Sequence, residues 1–144
     1  MTRPVIRPTI RARIRAGVAS DRDRLREIQA ASPQASSWNP LDYDCLVAEL
    51  DHRVVGFLAS RQVAPGEREI LNVAVDPAER RRGIGKKLVE RELARSPGAW
   101  FLEVRESNAA AIALYRSMGF EPSGLRPGYY SDPAEAAIVM RILS

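Results

Sequence analysis

The feature that most constrains the fold is a strand, a helix and a second strand in direct succession in the middle of the chain. The first strand, Glu69–Val75, ends at Asp76-Pro77, because proline cannot extend a strand ladder. Gly83–Arg95 has the apolar spacing of a helix, and Ala99–Arg105 alternates strictly between two faces. Two strands joined by a helical crossover pair in parallel. The sequence therefore predicts a central parallel β-α-β unit.

The elements on either side of this unit predict a mixed sheet. Apolar alternation between turn residues predicts five more strands, Arg11–Val18, Asp44–Leu50, Val54–Gln62, Phe120–Leu125 and Ala136–Leu143. Two more helices are predicted, one capped by Ser20 or Asp21 and ending near Ala31, the other capped by Ser107, spanning Asn108–Met118 and closed by Gly119. Because the flanking hairpins are antiparallel, we expect an α/β (α+β) fold with one mostly antiparallel sheet and helices on its faces.

Length and composition limit the class of protein. With 144 residues, 45% of them hydrophobic, the chain has the size and balance of one globular domain. We expect a single domain over residues 1–144, with Met1–Pro8 as a flexible arm. No apolar run approaches the roughly 18 to 20 residues that span a bilayer, and Met1–Arg15 lacks the apolar stretch of a secretory signal. A cytoplasmic protein is therefore expected.

The chain has few residues that could bind a metal or act as a histidine base. Cys45 is the sole cysteine and His52 the sole histidine, which excludes an intramolecular disulfide framework. A Ser-His-Asp triad or a histidine-based metal site is not supported either, and we expect no metal. Acid–base chemistry must come from carboxylates, tyrosine or the substrate.

The charge of the chain has two interpretations. The net charge is +4, and arginines crowd the first 26 residues. Such a pattern is typical of proteins that bind nucleic acid or an anionic ligand, and also of an arginine-rich solvated surface. The charge alone leaves both interpretations open.

A loop rich in arginine and glycine opens the central helix. It reads Arg80-Arg81-Arg82-Gly83-Ile84-Gly85 and is followed by Lys86. Glycines let the backbone approach an anion, the first N–H groups of a helix point at it, and arginines add charge-assisted hydrogen bonds. The spacing matches neither a nucleoside triphosphatase loop nor a Rossmann dinucleotide loop. The pattern predicts an anion site of another kind.

The same loop, together with two other segments, resembles a known family. Arg/Gln-x-x-Gly-x-Gly/Ala is the coenzyme A diphosphate signature of the GNAT acetyltransferase superfamily, and Leu102–Phe120 is similar to the next motif of that superfamily. Within the superfamily, the chain most closely resembles the RimI group, which acetylates the N-terminal alanine of a small-subunit ribosomal protein. Ile70–Pro77 and Tyr129-Tyr130 share this resemblance.

The resemblance implies a role for each matching position. The strand residues Val73, Ala74 and Val75 would pair with the pantetheine arm of acetyl-coenzyme A, and Asn108 would hydrogen-bond the coenzyme. Residues that would cradle the diphosphate are Arg80, Arg81, Arg82, Gly83, Ile84, Gly85 and Lys86. Glu103 would act as general base and Tyr115 as general acid toward the thiolate leaving group. Trp38, Tyr129 and Tyr130 would line the acceptor site.

Each of these assignments has a structural alternative. Glu103 could be a salt-bridged surface carboxylate, since Arg105 shares its strand face. Tyr115 could be an ordinary core residue on the apolar stripe of its helix, and Asn108 only the start of that helix. Tyr129 and Tyr130 could be a packing pair at a strand edge.

The resemblance implies acetyl transfer from acetyl-coenzyme A to a primary amine by direct attack. A protein N-terminus is the favoured acceptor, with a ribosomal protein as candidate partner. A small amine remains open (a polyamine, an amino acid or an aminoglycoside), because the helix expected after Trp38-Asn39-Pro40 is shortened or lost and Asp42, Asp44 and Glu49 lie nearby. A non-catalytic module that binds coenzyme A or RNA is the alternative of another class.

Overall fold

A computed structural model describes residues 12–32, 38–131 and 134–143. It contains seven strands in these ranges: β1 Arg13–Ala16, β2 Asp44–Leu50, β3 Arg53–Ala64, β4 Glu67–Val75, β5 Ala99–Arg105, β6 Glu121–Tyr130 and β7 Glu135–Leu143. The helices are α1 Arg22–Ala30, α2 Ile84–Arg95 and α3 Ala109–Ser117. The predicted arm Met1–Pro8 and the first residue of the first predicted strand lie outside the described residues.

The seven strands form one sheet in the order β1-β2-β3-β4-β5-β7-β6. Only β4 and β5 pair in parallel, and every other pairing among these strands is antiparallel. The predicted mixed sheet with a central parallel β-α-β unit is confirmed. The order also places β7 between β5 and β6, so the last strand of the chain is interior and β6 forms an edge.

A β-bulge interrupts β4 where it leaves β5. On the β3 side, Ala59 pairs with Asn72 and Ser60 with Ile70, so Leu71 is an extra residue in β4. On the β5 side, the parallel register runs from Glu67 opposite Ala99 to Ile70 opposite Leu102 and goes no further. Beyond Ile70 the two strands separate, and a gap opens in the middle of the sheet.

The helices pack on opposite faces of the sheet and bury two cores. On one face, Trp100, Leu102 and Val104 of β5 join Leu88 of α2 and Tyr115 of α3 in the larger core. On the other face lies a smaller core formed by α1 and the neighbouring strands, made of Leu25, Ile28, Val47, Val54, Phe57 and Ala74. The strict alternation of β5 thus separates a buried face from the face that carries Glu103, as the sequence predicted.

Several element ends differ from the prediction because local capping decides them. Asn108, not Ser107, caps α3, since its Oδ1 accepts a hydrogen bond from Ala111 N at 3.2 Å. Asp21 occupies the N-cap position of α1 but does not cap it, because its carboxylate accepts from Val18 N, and a short 3-10 helix, Ala19–Asp21, precedes α1. The predicted strand Phe120–Leu125 instead spans Glu121–Tyr130. Its pairing with β7 extends it past Pro127 and Gly128.

The segment before β2 is a short 3-10 helix, Pro40–Asp42. Asn39 caps it, because its Oδ1 accepts from Leu41 N at 3.0 Å. A helix expected here from the resemblance is thus represented, within the described residues, by a single turn. None of the helices in the described ranges is long and apolar enough to cross a membrane.

Candidate active site

A cleft of about 300 Å³ opens where β4 and β5 separate. Seven of the residues expected at the site line it, namely Trp38, Val73, Glu103, Asn108, Tyr115, Tyr129 and Tyr130. The other expected residues, Ala74, Val75 and Arg80–Lys86, belong to the far end of β4 and to the start of α2. The structure therefore brings the expected acid, base and acceptor residues together and places the glycine loop beside them.

Glu103 lies in the cleft wall with its carboxylate held by Arg126. Arg126 Nη1 donates to Glu103 Oε1, and Tyr129 lines the cleft with them. The side chain is 13% exposed. The alternative that Glu103 is salt-bridged is confirmed with Arg126 as its partner, while the neighbouring Arg105 Nη1 lies 3.3 Å from Glu135 Oε1. Glu103 is thus ion-paired and still borders the cleft.

Tyr115 is at once a core residue and part of the cleft wall. It is 8% exposed, and its ring packs edge-on against Phe120 with 5.7 Å between the ring centroids. Burial raises the pKa of Tyr115 to about 12. The phenol therefore stays protonated at neutral pH and can donate a proton into the cleft.

Glu103 and Tyr115 reach the cleft from opposite sides of the sheet. Tyr115 shares the larger core with Trp100, Leu102 and Val104, while Glu103 points to the other face of β5 by alternation. Both line the same cleft only because β4 leaves β5 beyond Ile70. The arrangement lets a reacting group in the gap meet a carboxylate on one side and a phenol on the other.

Arginines stack on the two tyrosines of the cleft wall. The Arg126 guanidinium carbon lies 4.5 Å from the centroid of the Tyr129 ring, and that of Arg105 lies 4.3 Å from the Tyr130 ring. The two tyrosine rings contact each other edge-on at 4.9 Å. The sequence indicated the tyrosines and missed Arg126, because only the pairing of β6 with β7 and of β7 with β5 brings Arg126 to Glu103.

Three further cleft residues were missed by sequence reasoning. Arg61 and Glu69 form a salt bridge at 2.9 Å in the cleft wall, and Asn72 lies beside them. The salt bridge depends on the antiparallel pairing of β3 with β4, which the sequence does not specify residue by residue. For Asn72 a signal did exist, since it is the one polar residue in the run Ile70–Val75.

The glycine loop has the backbone expected of an anion site. Arg81 and Gly83 have φ angles of +65° and +75°, which turns successive N–H groups toward one side. A side chain added at Gly83 would meet no atom within 4 Å, so open space surrounds this point of the backbone. A Cβ at Gly85 would lie 3.8 Å from Val73 and 3.9 Å from Leu114. The loop thus adjoins Val73, which itself lines the cleft.

Residues 17–120 match the model of the Acetyltransferase (GNAT) family. The chain is a member of the GNAT family. Over 90 residues it is 43% identical to [ribosomal protein bS18]-alanine N-acetyltransferase of Escherichia coli strain K12, a stretch that covers 58% of this chain and 61% of that protein. Over 104 residues it is 44% identical to an uncharacterized protein of Mycobacterium leprae, covering 69% of this chain and 29% of that one. The chain thus spans less than two thirds of the length of these curated relatives.

The fold is also similar to a solved structure of a GNAT acetyltransferase. The crystal structure of the ribosomal-protein-S18-alanine N-acetyltransferase from Escherichia coli superposes with a TM-score of 0.81 at 29% sequence identity. The superposition covers 92% of this chain and 94% of that one. The predicted GNAT fold is therefore confirmed.

The residues present fit the diphosphate of the GNAT cosubstrate, acetyl-coenzyme A. The first N–H groups of α2 have no partner within their own helix, and Gly83 leaves the space in front of them open. Among the described residues Arg82 pairs with Glu79 at 3.1 Å, whereas Arg80 and Arg81 form no salt bridge. Positive side chains, open space and unpaired donors together suit a polyanion.

Asn108 caps α3, which is the structural alternative that the sequence offered for this residue. Its Oδ1 caps α3, while the residue also lines the cleft. Its Nδ2 has two donors that the cap does not use. The Nδ2 group therefore stays available for the site role expected of Asn108.

The carboxylates near the shortened helix do not form an acidic acceptor pocket. Glu49 is bound by Arg15 at 2.8 Å, and Asp44 is bound by Arg68. Asp42 is exposed in the 3-10 helix. None of these three carboxylates borders the described cleft. Asp42, Asp44 and Glu49 therefore give the cleft no negative charge that would attract a cationic acceptor.

Proposed function

We propose that this protein transfers the acetyl group of acetyl-coenzyme A to the α-amine of a protein N-terminus. The observation that carries the proposal is the cleft between β4 and β5, where Glu103 from one face of the sheet meets Tyr115 from the other. Direct transfer of an acyl group to an amine needs one group that accepts a proton and one that donates one. The cleft supplies both, with no nucleophilic serine or cysteine among its described lining residues.

Glu103 is the proposed proton acceptor. An N-terminal α-amine has a pKa of about 8, so a large part of it is ammonium at neutral pH and cannot attack a carbonyl. The Glu103 carboxylate takes that proton directly or through a water molecule. Arg126 donates to the carboxylate and fixes its orientation in the cleft wall.

Tyr115 is the proposed proton donor. Its raised pKa keeps the phenol protonated over the working pH range. The packing of its ring against Phe120 fixes the direction of the hydroxyl. On this proposal Tyr115 protonates the sulfur that leaves when the amide forms, from the face of the sheet opposite to the acceptor.

The glycine loop and β4 are the proposed binding site for acetyl-coenzyme A, which supplies the thioester when bound. Arg80–Lys86 would bind the diphosphate through backbone N–H groups and positive side chains. Val73, Ala74 and Val75 follow the bulge, where β4 is paired with β3 on one side and separated from β5 on the other. Their backbone groups on the free side suit an extended arm with amide groups.

An N-terminal peptide suits the acceptor side better than a cationic metabolite does. The carboxylates of the cleft, Glu69 and Glu103, are each paired with an arginine, and Arg105, which also lines the cleft, is paired with Glu135. A polyamine or an aminoglycoside would place several positive charges among these arginines. The relative in Escherichia coli is named for acetylating a ribosomal protein alanine, which supports a ribosomal protein as acceptor.

A thiol-release assay tests the proposal. The full chain is incubated with acetyl-coenzyme A and a panel of N-terminal peptides, polyamines, free amino acids and aminoglycosides. Release of coenzyme A with an Ala-initiated peptide, and mass spectrometry that places the acetyl group on the α-amine, are the expected results. Turnover with small amines only would overturn the acceptor assignment. Salt-dependent RNA binding without any thiol release would favour a non-catalytic module instead.

A further inference from the structure

Asn72 shares the face of the sheet that carries Glu103. Ser60 faces α2, because its hydroxyl hydrogen-bonds Glu92 at 3.2 Å, and its partner Ile70 belongs to the larger core. Without the bulge, Asn72 would follow Ile70 onto that face. The extra residue Leu71 reverses the alternation, so Asn72 and Ala74 point toward α1. The bulge thus places the Asn72 carboxamide on the side of the cleft that is proposed to bind the acceptor.

The Asn72 carboxamide has an unused donor in the cleft. Its Nδ2 is buried and has no hydrogen-bond partner among the described residues. The same residue lines the cleft with Glu103, Trp38 and Tyr129. A buried donor without a partner destabilises the folded protein, and a ligand that supplies an oxygen at this point removes that penalty on binding. The position therefore favours a ligand with a hydrogen-bond acceptor at this point.

We propose that Asn72 positions the acceptor by donating from Nδ2 to the carbonyl oxygen of its first peptide bond. This inference rests on the function proposed above. The oxygen of that carbonyl is the acceptor atom nearest to an N-terminal α-amine in any peptide, whereas a polyamine has no such oxygen. Asn72 is thus a positioning residue that selects acceptors in which a carbonyl follows the amine.

A double-substitution experiment tests this contact. One change is Asn72→Leu, which keeps the approximate volume and removes the donor. The other is in the acceptor: an Ala-initiated peptide whose first peptide bond is replaced by a trans-alkene, which keeps the shape and lacks the oxygen. Each change alone is expected to lower kcat/KM about tenfold, since a hydrogen bond contributes about 1 kcal/mol or more. Both together should lower it no further than one alone.

Two other measurements separate positioning from a structural role. The KM for acetyl-coenzyme A should not change in Asn72→Leu, and its melting temperature should be unchanged or raised, because the variant no longer buries an unpaired donor. Gln62→Leu on β3 removes an exposed carboxamide outside the cleft and serves as matched control with wild-type kinetics. If Asn72→Leu does not fold, Asn72→Ala takes its place in the same measurements.

The outcomes distinguish this inference from the function on which it rests. A wild-type protein that acetylates no peptide overturns the proposed function and the inference with it. A wild-type protein that acetylates the peptide and the alkene analogue equally well overturns the inference alone. Additive losses for the two changes would also overturn it, because they would show that the side chain and the carbonyl do not contact each other.

Discussion

Glu103 and Tyr115 lie on opposite faces of one sheet and line a single cleft. Two strands of a continuous sheet would keep them apart, since side chains on the two faces are separated by the backbone layer. The separation of β4 from β5 after Ile70 removes that layer locally. The chemistry proposed for the protein therefore depends on a break in regular strand pairing.

Replacing the proposed base should lower turnover strongly and preserve cosubstrate binding. We expect Glu103→Gln to lower kcat by about 10² to 10⁴, the usual contribution of a positioned acid or base. Its carboxamide keeps the shape of the side chain and can still accept from Arg126. Thiol release gives kcat, and calorimetry gives the Kd of acetyl-coenzyme A, which should stay within about twofold. Glu106→Gln, at an exposed position three residues further on, is the matched control and should retain wild-type turnover. Full activity in Glu103→Gln would remove the base from the mechanism.

The pH profile should rise with deprotonation of the acceptor and then stay level. The amine pKa of about 8 sets the rise in kcat/KM. Because burial raises the pKa of Tyr115 to about 12, the protonated phenol persists and no decline is expected up to about pH 10. Tyr115→Phe should lower kcat at every pH and leave the melting temperature nearly unchanged, since the ring still packs on Phe120. A fall in wild-type activity centred near pH 9 would contradict this assignment.

Two glycines of the loop should respond differently to the same substitution. Gly83 has a φ of +75°, so Gly83→Ala should cost about 1 to 2 kcal/mol of stability and raise the Kd of acetyl-coenzyme A. Gly85 lies in α2, and a Cβ there makes ordinary contacts at 3.8 Å or more. Gly85→Ala should therefore leave stability unchanged or raise it by up to about 1 kcal/mol, with little change in Kd. Urea unfolding and calorimetry on both variants check the contrast. Equal losses in the two would argue against backbone strain as the cause.

Stability in acid should depend on a buried carboxylate far from the cleft. Arg15 donates to both oxygens of Asp21, at 2.8 and 2.9 Å, and this holds the pKa of Asp21 below its ordinary value. A carboxyl whose folded-state pKa is lowered stabilises the fold above its unfolded pKa, and that stabilisation is lost as the pH falls through the folded value. Asp21→Asn should lower the free energy of unfolding at pH 7 by about 1 to 3 kcal/mol and reduce its further loss below about pH 4. Urea titrations at several pH values measure both, with exposed Asp51→Asn as control.

The sequence predicts the strands best where one residue pattern decides them. The alternation of β5 and the turn at Asp51 and His52 are local features, and both residues of that turn have positive φ as a tight hairpin requires. The bulge at Leu71 is different, because it exists only relative to β3, and no local pattern in β4 marks it. The same holds for the pair of Arg126 with Glu103, which depends on the order of β5, β7 and β6. The sequence therefore predicted that Glu103 lies on the strand face opposite Leu102, whereas the positions of Leu71 and Arg126 could not be predicted from it.

The extra residue in β4 restricts the sequence changes that this strand can accept during evolution. Each position from Asn72 to Val75 depends on Leu71 for the side of the sheet on which it lies. Removing one residue there would exchange the two sides at every later position of the strand and turn Val73 and Val75 toward α1. Point replacements in this stretch would alter single contacts, whereas a one-residue insertion or deletion would exchange the side chains on the two faces of the strand together. We therefore expect relatives to vary in the identity of these residues and to preserve their number.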